Sequence, residues 1–339
     1  MQNNKIYTIS ATVIVLVACL QLFTFSKKVA NLNFDESLYY VAKSHPLPKK
    51  VHFCEELVPL ESRDIRERLD KEIIKNAYWH SSILLYYKRA GKFFPIIEPI
   101  LKKNKIPNDF KYLVIAESGL KNVVSPAGAK GYWQFMEKTG REFGLEINKE
   151  VDERYNLEKS TQAACDYLND AYKKFGSWTL VAASYNMGMY GLEKNLNRQQ
   201  VNNYYDLLLN SETARYVFRI ITYKLILEHP EQYGFNLHEH DRYSPVHYKT
   251  ITIDTTISNL ATFAKQQGIN YKILKLGNPW LRQRSLKNPN KKRYHLHLLT
   301  KDFYVYTNNK KDSIDSLNDY QNNLIKPIKS VHSDSTKNQ

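Results

Sequence analysis

From residue 64 to residue 227 the apolar residues of this 339-residue chain recur at helical spacing, and that periodicity admits few architectures other than packed helices. Ile73, Ile74, Ala77 and Tyr78, then Ile83, Leu84 and Tyr87, follow it until Gly91 and Pro95, where the sequence predicts a break and then a short helix over 96–101. Pro107 and Asn108 open the next helix, with Asn108 expected as its N-cap. Residues 160–175 place Ala164, Tyr167, Leu168, Ala171, Tyr172 and Phe175 on one side and stop at Gly176. Ser177 is expected to cap a helix reaching Tyr185, and 213–227 carries Tyr216, Ile220, Tyr223 and Leu227 on one stripe.

The pattern changes near residue 247. Residues 248–253 alternate as a strand does, 257–267 and 271–276 return to helical spacing, and 294–298 alternate again. The fold class expected is therefore α+β, mostly α: a helical domain over 61–235, then a small strand-helix-helix-strand module over 247–300. Residues 26–60 read as a polar, proline-containing connector, and 301–339, rich in Asn, Lys, Ser and Asp, as a disordered tail.

The two ends carry information about partners. After Lys5, residues 6–25 run nearly without charge, about the length that crosses a bilayer and equally that of a signal peptide. Residues 1–25 are thus expected to export the chain or anchor it in a membrane. Leu16-Val17-Ala18-Cys19 resembles a bacterial lipobox, which would make Cys19 a lipidation site; Lys27 and Lys28 close the run as the flank of an uncleaved anchor would. Both attachments remain open at this point. The net charge is +15, and residues 261–339 hold 15 Lys and Arg against 5 Asp and no Glu, a net +10. Such an end favours an acidic partner. Export argues against nucleic acid and leaves anionic lipid or an acidic wall polymer. Cys54 and Cys165 are either one disulfide or two buried thiols, and no metal-ligand spacing is present. His295 and His297 fit strand alternation, and His238-Glu239-His240 a solvated loop.

One acid stands out. Phe110, Leu113, Val114 and Glu117 fall at i, i+3, i+4 and i+7, so Glu117 lies on an apolar stripe. A glutamate there either pairs with a base or is held in a low-dielectric cleft, where it stays protonated and acts as an acid. The following loop, Ser125-Pro126-Ala127-Gly128-Ala129-Lys130-Gly131, is small and glycine-rich, and Tyr132-Trp133-Gln134-Phe135-Met136 is bulky. Small residues let a ligand approach the backbone, and an aromatic surface beside an amide suits a sugar ring. A polysaccharide cleft is the expectation.

Several motifs in order then resemble the soluble lytic transglycosylase domain, in particular the membrane-bound lytic murein transglycosylase D group, whose fold is related to goose-type lysozyme. They are Glu117-Ser118-Gly119, Ser125-x-Ala-Gly-Ala-x-Gly131, Trp133-Gln134-Phe135-Met136, Ala183-x-Tyr185-Asn186-x-Gly188 and Glu212-Thr213-x-x-Tyr216, with Asp152-Glu153-Arg154 and Ser160-Thr161-x-Ala163-Ala164 between. The resemblance spans about 75–230. It implies a lysozyme-like fold and cleavage of peptidoglycan between N-acetylmuramic acid and N-acetylglucosamine, with closure of a 1,6-anhydro ring and no cofactor. It also implies Glu117 as the single catalytic acid and base, and Ser125, Gln134, Met136, Tyr185, Asn186 and Tyr216 as residues that bind sugar or position Glu117. Tyr216 is the expected orienter of the carboxyl. The sequence departs from the family pattern at Tyr132, where leucine is commoner, and at Ser184.

The C-terminal module resembles a divergent LysM fold through Asp254-Thr255-x-Ile257-x-x-Leu260-Ala261, Leu274, Leu276 and Asn278-Pro279, although the usual glycine before the aspartate is missing. Trp280 is either core or a sugar platform. Glu137, Glu142, Asp152 and Glu153 are the nearest acids that could assist Glu117, the first two reading as solvated and the last two as a turn paired with Arg154. The resulting expectation is a membrane-attached periplasmic enzyme of wall turnover whose partners are glycan strands. A lysozyme-type hydrolase and a catalytically inactive wall-binding scaffold are the alternatives.

Overall fold

A computed structural model describes residues 44–300. The expected leader or anchor at 1–25, Cys19 and the tail at 301–339 lie outside the described residues. Helices α1 (Arg63–Ala77), α2 (His80–Lys103), α3 (Lys111–Ser118), α4 (Glu137–Glu142), α5 (Leu157–Phe175), α6 (Trp178–Met187), α7 (Met189–Gln199) and α8 (Ser211–Glu228) build the larger part. Their inward stripes meet in one core that includes Leu69, Ile73, Ile83, Ile97, Leu113, Leu168, Val181 and Phe218. Helix ends follow local chemistry. Ser177 Oγ accepts from Leu180 N, Asn210 Oδ1 from Glu212 N and Thr213 N, and Gly176 closes α5 at φ 67°.

Gly91 and Pro95 do not break the helix, contrary to the expectation. The chain turns earlier, at Tyr78 and Trp79, and α2 continues through both residues and through Pro99. Both prolines sit on the exposed side of α2, one turn apart, where backbone groups they leave unpaired can meet water, while Ile83, Tyr87, Ala90, Phe94, Ile97 and Leu101 form an unbroken buried stripe. Gly91 has a packing reason. A Cβ there would come 2.6 Å from Arg242 Cβ and 2.7 Å from the Tyr243 carbonyl oxygen, because the segment after α8 folds back over α2. Asn108 does not act as the expected cap either. Asn108–Phe110 is a 3-10 turn ahead of α3, and it directs Asp109 inward, where the carboxylate accepts from Cys54 N and pairs with Lys224 at 2.7 Å.

Residues 45–60, part of the expected connector, are folded into the core. Strands β1 (His52–Phe53) and β2 (Glu56–Leu57) pair through a two-residue turn in which Cys54 and Glu55 both take positive φ. Val51, Phe53, Val58 and Leu60 are buried. Glu56 accepts from Ser177 Oγ, Trp178 N and Thr179 N at the start of α6, where a carboxylate complements the helix dipole. The run is too short to show a period, which is why it read as polar linker. Cys54 and Cys165 are buried free thiols.

Strands β5 (Tyr248–Ile253) and β6 (Tyr294–Leu299) pair antiparallel from Tyr248↔Leu299 to Ile253↔Tyr294, flanked by α9 (Leu260–Gln266) and α10 (Tyr271–Gly277). This is the strand-helix-helix-strand order expected. Its core gathers Leu260, Leu274, Leu286 and Leu296 together with Trp280, which is buried and stacks on Tyr294; Trp280 is therefore a core residue. Val151 and Tyr155 of the helical domain belong to the same core. The backbone continues the union: Val151 bridges Leu281, Asp152 N donates to the Trp280 carbonyl at 2.9 Å, and Arg282 N to that of Glu150 at 2.7 Å.

The loop after α3 is held by a short ladder, β3 (Val123–Val124) with β4 (Lys130–Gly131), and by the turn at residues 152–155. Arg154 is buried, donates twice to Asp152 at 2.9 and 2.7 Å, and reaches the Phe135 carbonyl. Gly131, at φ 85°, lies so close that a Cβ would stand 1.8 Å from the Arg154 carbonyl oxygen. Gly131→Ala is thus expected to lower the free energy of unfolding by at least about 2 kcal/mol. Denaturant titration checks this, and a midpoint equal to the wild type would contradict the close approach.

Candidate active site

The stripe that carries Glu117 is buried along Phe110, Leu113 and Val114, and α3 ends one residue after the acid, at Ser118. Gly119 then takes the left-handed conformation, φ 58°, and turns the chain toward the 123–135 loop. Glu117 is half-buried on the last turn. Helix α8 crosses α3 and brings in Tyr216, which is buried and whose hydroxyl donates to Glu117 Oε1. Among the described residues no ion pair reaches Glu117. Of the two explanations for an acid on an apolar stripe, desolvation is the one observed.

The electrostatics follow from that placement. Burial raises the Glu117 carboxyl from 4.5 to about 7, while the Tyr216 hydrogen bond and the charge of Arg219 pull it down and Glu212 pushes it up. Arg219 and Glu212 themselves pair at 2.6 Å, with the Arg219 guanidinium 5.9 Å from the centre of the Tyr216 ring. Sequence reasoning placed Glu212 in a motif without giving it a role and did not consider Arg219. Their signal was the helical spacing, since Glu212, Tyr216 and Arg219 fall at i, i+4 and i+7 on α8.

Tyr185, on α6, feels the Glu117 charge and donates its hydroxyl to the Trp133 carbonyl at 2.8 Å. Asn186 beside it accepts from Thr213 Oγ1 at 2.8 Å, which ties α6 to the start of α8. Gln134 takes φ 52° and donates its amide to the Val123 and Gly131 carbonyls at 3.1 and 2.7 Å. Ser125 Oγ accepts from Ala129 N at 3.0 Å and closes the small-residue loop. Met136 is exposed at the start of α4. The structure thus brings Tyr216 onto Glu117 and Tyr185 beside it, whereas the hydrogen bonds of Ser125 and Gln134 serve the loop.

The expected aromatic surface differs. Trp133 is fully buried and donates Nε1 to Thr161 Oγ1 at 2.8 Å, and Tyr132 packs against Phe93, ring centres 5.1 Å apart. Trp133 is turned into the core and Tyr132 onto Phe93 of α2, so neither offers the sugar platform the sequence suggested. The acids considered as partners of Glu117 are engaged elsewhere: Glu137 with Arg141, Asp152 with Arg154, and Glu153 with Glu146 N; Glu142 lies 3.9 Å from Lys138. Among the described residues no three His, Cys, Asp or Glu side chains converge as a metal site.

A carboxyl raised by folding makes stability fall as pH rises. Below pH 4.5 folded and unfolded chains are both protonated; from there to about 7 the folded chain keeps a proton that the unfolded chain releases, and above 7 the loss is complete. Glu117→Gln is therefore expected to stabilise the protein at pH 8 by up to about 3 kcal/mol and to change little at pH 4. Unfolding titrations at the two pH values check this; equal stability at pH 8 would argue against a desolvated acid. Tyr216→Phe removes a bond that holds the value down and is expected to move the Glu117 titration upward, read by NMR of labelled glutamate.

Comparison with known proteins bears on the same residues. Residues 94–208 match the family model described as the transglycosylase SLT domain, and residues 249–302 the soluble lytic transglycosylase C-terminal LysM-like domain. Curated relatives named membrane-bound lytic murein transglycosylase D, from Escherichia coli strain K12 and an O6:H1 strain, are each 32% identical over 183 residues, 52% of this chain. The chain spans 40% of the length of those relatives. A solved structure of an inactive mutant of the lytic transglycosylase Slt from Pseudomonas aeruginosa aligns at 18% identity with a TM-score of 0.33, over 44% of this chain and 26% of that one. With Glu117, the 125–136 loop and Tyr185 all inside the first match, the chain carries a transglycosylase SLT domain, followed by a LysM-like domain of the soluble lytic transglycosylase type.

Proposed function

We propose that this protein is a peptidoglycan lytic transglycosylase, cleaving the β-1,4 bond between N-acetylmuramic acid and N-acetylglucosamine without water. The observation that carries the reading is Glu117 itself, bonded to Tyr216, raised by burial to about 7 and with no second free carboxylate beside it among the described residues. At neutral pH such a group exists in both forms, so one residue can serve as acid and then as base. Protonated Glu117 gives its proton to the glycosidic oxygen as the bond to the muramyl anomeric carbon breaks. The resulting carboxylate takes the proton of the muramyl C6 hydroxyl, whose oxygen bonds to that carbon and closes the 1,6-anhydro ring. The acid is regenerated and no water is consumed.

Tyr216 holds one carboxyl oxygen and so orients the other. A hydrolase would require a second carboxylate to activate water or bond to the sugar. Glu212, the carboxylate whose charge reaches Glu117, is committed to Arg219, which favours the intramolecular route. An inactive scaffold would have no use for an acid kept at this cost to stability. Ser125, Gln134, Met136, Tyr185 and Asn186 are proposed to shape the sugar sites, and the basic LysM-like module to bind glycan bearing acidic peptides. Residues 6–25 are proposed to hold the protein at a membrane, by lipidated Cys19 or an uncleaved anchor, with the domains in the periplasm for wall turnover. No helix among the described residues is long and apolar enough to cross a membrane.

The test is digestion of purified peptidoglycan with mass spectrometry of the released fragments. The expected products are lighter by one water than hydrolytic fragments, and Glu117→Gln loses at least about 100-fold in rate. Reducing-end products would identify a hydrolase, and binding without release a scaffold. Tyr216→Phe is expected to lose about 10-fold or more in turnover while remaining folded; an unchanged rate would remove it from the site.

A further inference from the structure

Trp79 is 55% exposed, whereas Trp133 and Trp280 are buried and Trp178 stacks on Tyr172 with ring centres 4.0 Å apart. It stands in the turn between α1 and α2. Just ahead of it Lys71, Ile74, Lys75 and Tyr78 fall at i, i+3, i+4 and i+7, hence on one face, and the first three are exposed. Neither lysine is paired with an acid among the described residues. A single surface tryptophan needs no explanation, but one set beside an exposed isoleucine and two long cationic stems makes a surface both apolar and positive.

The same turn receives the chain from its N-terminal side. His45 is buried, its ring 6.0 Å from that of Tyr78 and 5.7 Å from that of Tyr233, with Nδ1 3.3 Å from the Gln232 carbonyl oxygen. The chain therefore enters the fold beside the residue that precedes Trp79. Lys49 and Lys50, exposed just past this entry, add positive charge that outweighs the exposed Glu231 of the adjoining turn. The connector from the apolar run at 6–25 to this entry, residues 26–43, spans at most about 65 Å when fully extended. Whatever holds residues 6–25 thus holds this face within that distance, and a tethered contact needs little affinity of its own.

We propose that Trp79, Ile74, Lys71 and Lys75 dock on an anionic lipid bilayer, with the indole at headgroup level and both ammonium groups among the lipid phosphates. Indole prefers that depth because its ring is apolar and its N–H polar, and lysine stems reach from an apolar face to the headgroup charge. The proposal rests on the membrane attachment put forward above. A sugar platform fits less well, since sugar hydroxyls need polar partners beside the ring. Asn76, the nearest amide in the chain, is buried and donates to the Glu72 carbonyl. The consequence of docking is orientation. Helix α2 starts at this surface, and about 15 Å along its axis Arg89 Nη1 donates to the Gly119 carbonyl at the end of the Glu117 helix. The cleft is then presented to glycan next to the membrane.

The test uses the full chain with vesicles of phosphatidylglycerol and phosphatidylcholine brominated in its acyl chains, separated by flotation and read by tryptophan emission. No tryptophan lies in residues 1–43, so quenching reports the folded part. The wild type is expected to float and to lose part of its emission, and Trp79→Phe to float with the quenching gone. Replacing both lysines, Lys71→Gln with Lys75→Gln, or using phosphatidylcholine alone, is expected to lower the quenched fraction severalfold, since each lysine near an anionic surface is worth about fivefold in binding. Unfolding midpoints and release of fragments from soluble glycan are expected to match the wild type in both variants. Flotation without quenching, or equal quenching in Trp79→Phe, overturns the docking face and leaves the attachment standing. A wild type that does not float counts against the attachment; Trp79-dependent quenching by anionic vesicles then still supports the face, and its absence overturns that as well. Weaker binding of soluble glycan by Trp79→Phe assigns the ring to a sugar and overturns the lipid assignment.

Discussion

A carboxyl group set on an apolar helix stripe loses the solvation of its charged form, and Glu117 bears that loss without a basic partner among the described residues. The surrounding geometry follows from keeping it there. Helix α3 must be short enough that its last turn opens on the loop, and α8 must cross close enough for a tyrosine hydroxyl to reach. The crossing is braced just ahead of Tyr216 against two other helices: Thr213 bonds Asn186 of α6, and Arg215 pairs with Glu72 of α1 at 2.5 Å. Arg219 and Glu212 then set two opposed charges near the carboxyl, which temper the desolvation without neutralising it.

Much of this was legible in the sequence, because long amphipathic helices write their period over many residues. The stripe holding Glu117, the Ser177 cap, the Gly176 stop and the strand-helix-helix-strand order all appear where spacing and cap chemistry place them. The failures share a cause, namely that tertiary contact overrode a local preference. Gly91 looks like a breaker and is a contact point for residues 242 and 243. Pro95 is harmless because its side of α2 faces out. Phe53 and Val58 lie in a hairpin too short for any period, and Trp133 looked like a platform because nothing local to it announces Thr161, 28 positions away. The Glu117–Tyr216 bond joins residues 99 apart; the resemblance foresaw it, whereas periodicity alone could only put each on a buried face.

The LysM-like module is mounted on the helical domain by more than side-chain contact. Its core takes in Val151 and Tyr155, and the Asp152–Arg154 turn that supports Gly131 also donates a backbone bond to Trp280. One short segment therefore holds the loop on one side and the module on the other. Tyr248 and His297 of the module close on Glu158 of α5 and complete a second line of attachment.

The two buried cysteines have a consequence for how the folded chain meets an oxidant. Thiol–disulfide exchange proceeds through the thiolate. Burial pushes the Cys165 thiol up to about 12 and the Cys54 thiol higher still, so neither supplies an attacking sulfur at neutral pH. Once the described domains have folded, these two thiols are therefore withdrawn from exchange, and burial rather than a cross-link sets their chemistry.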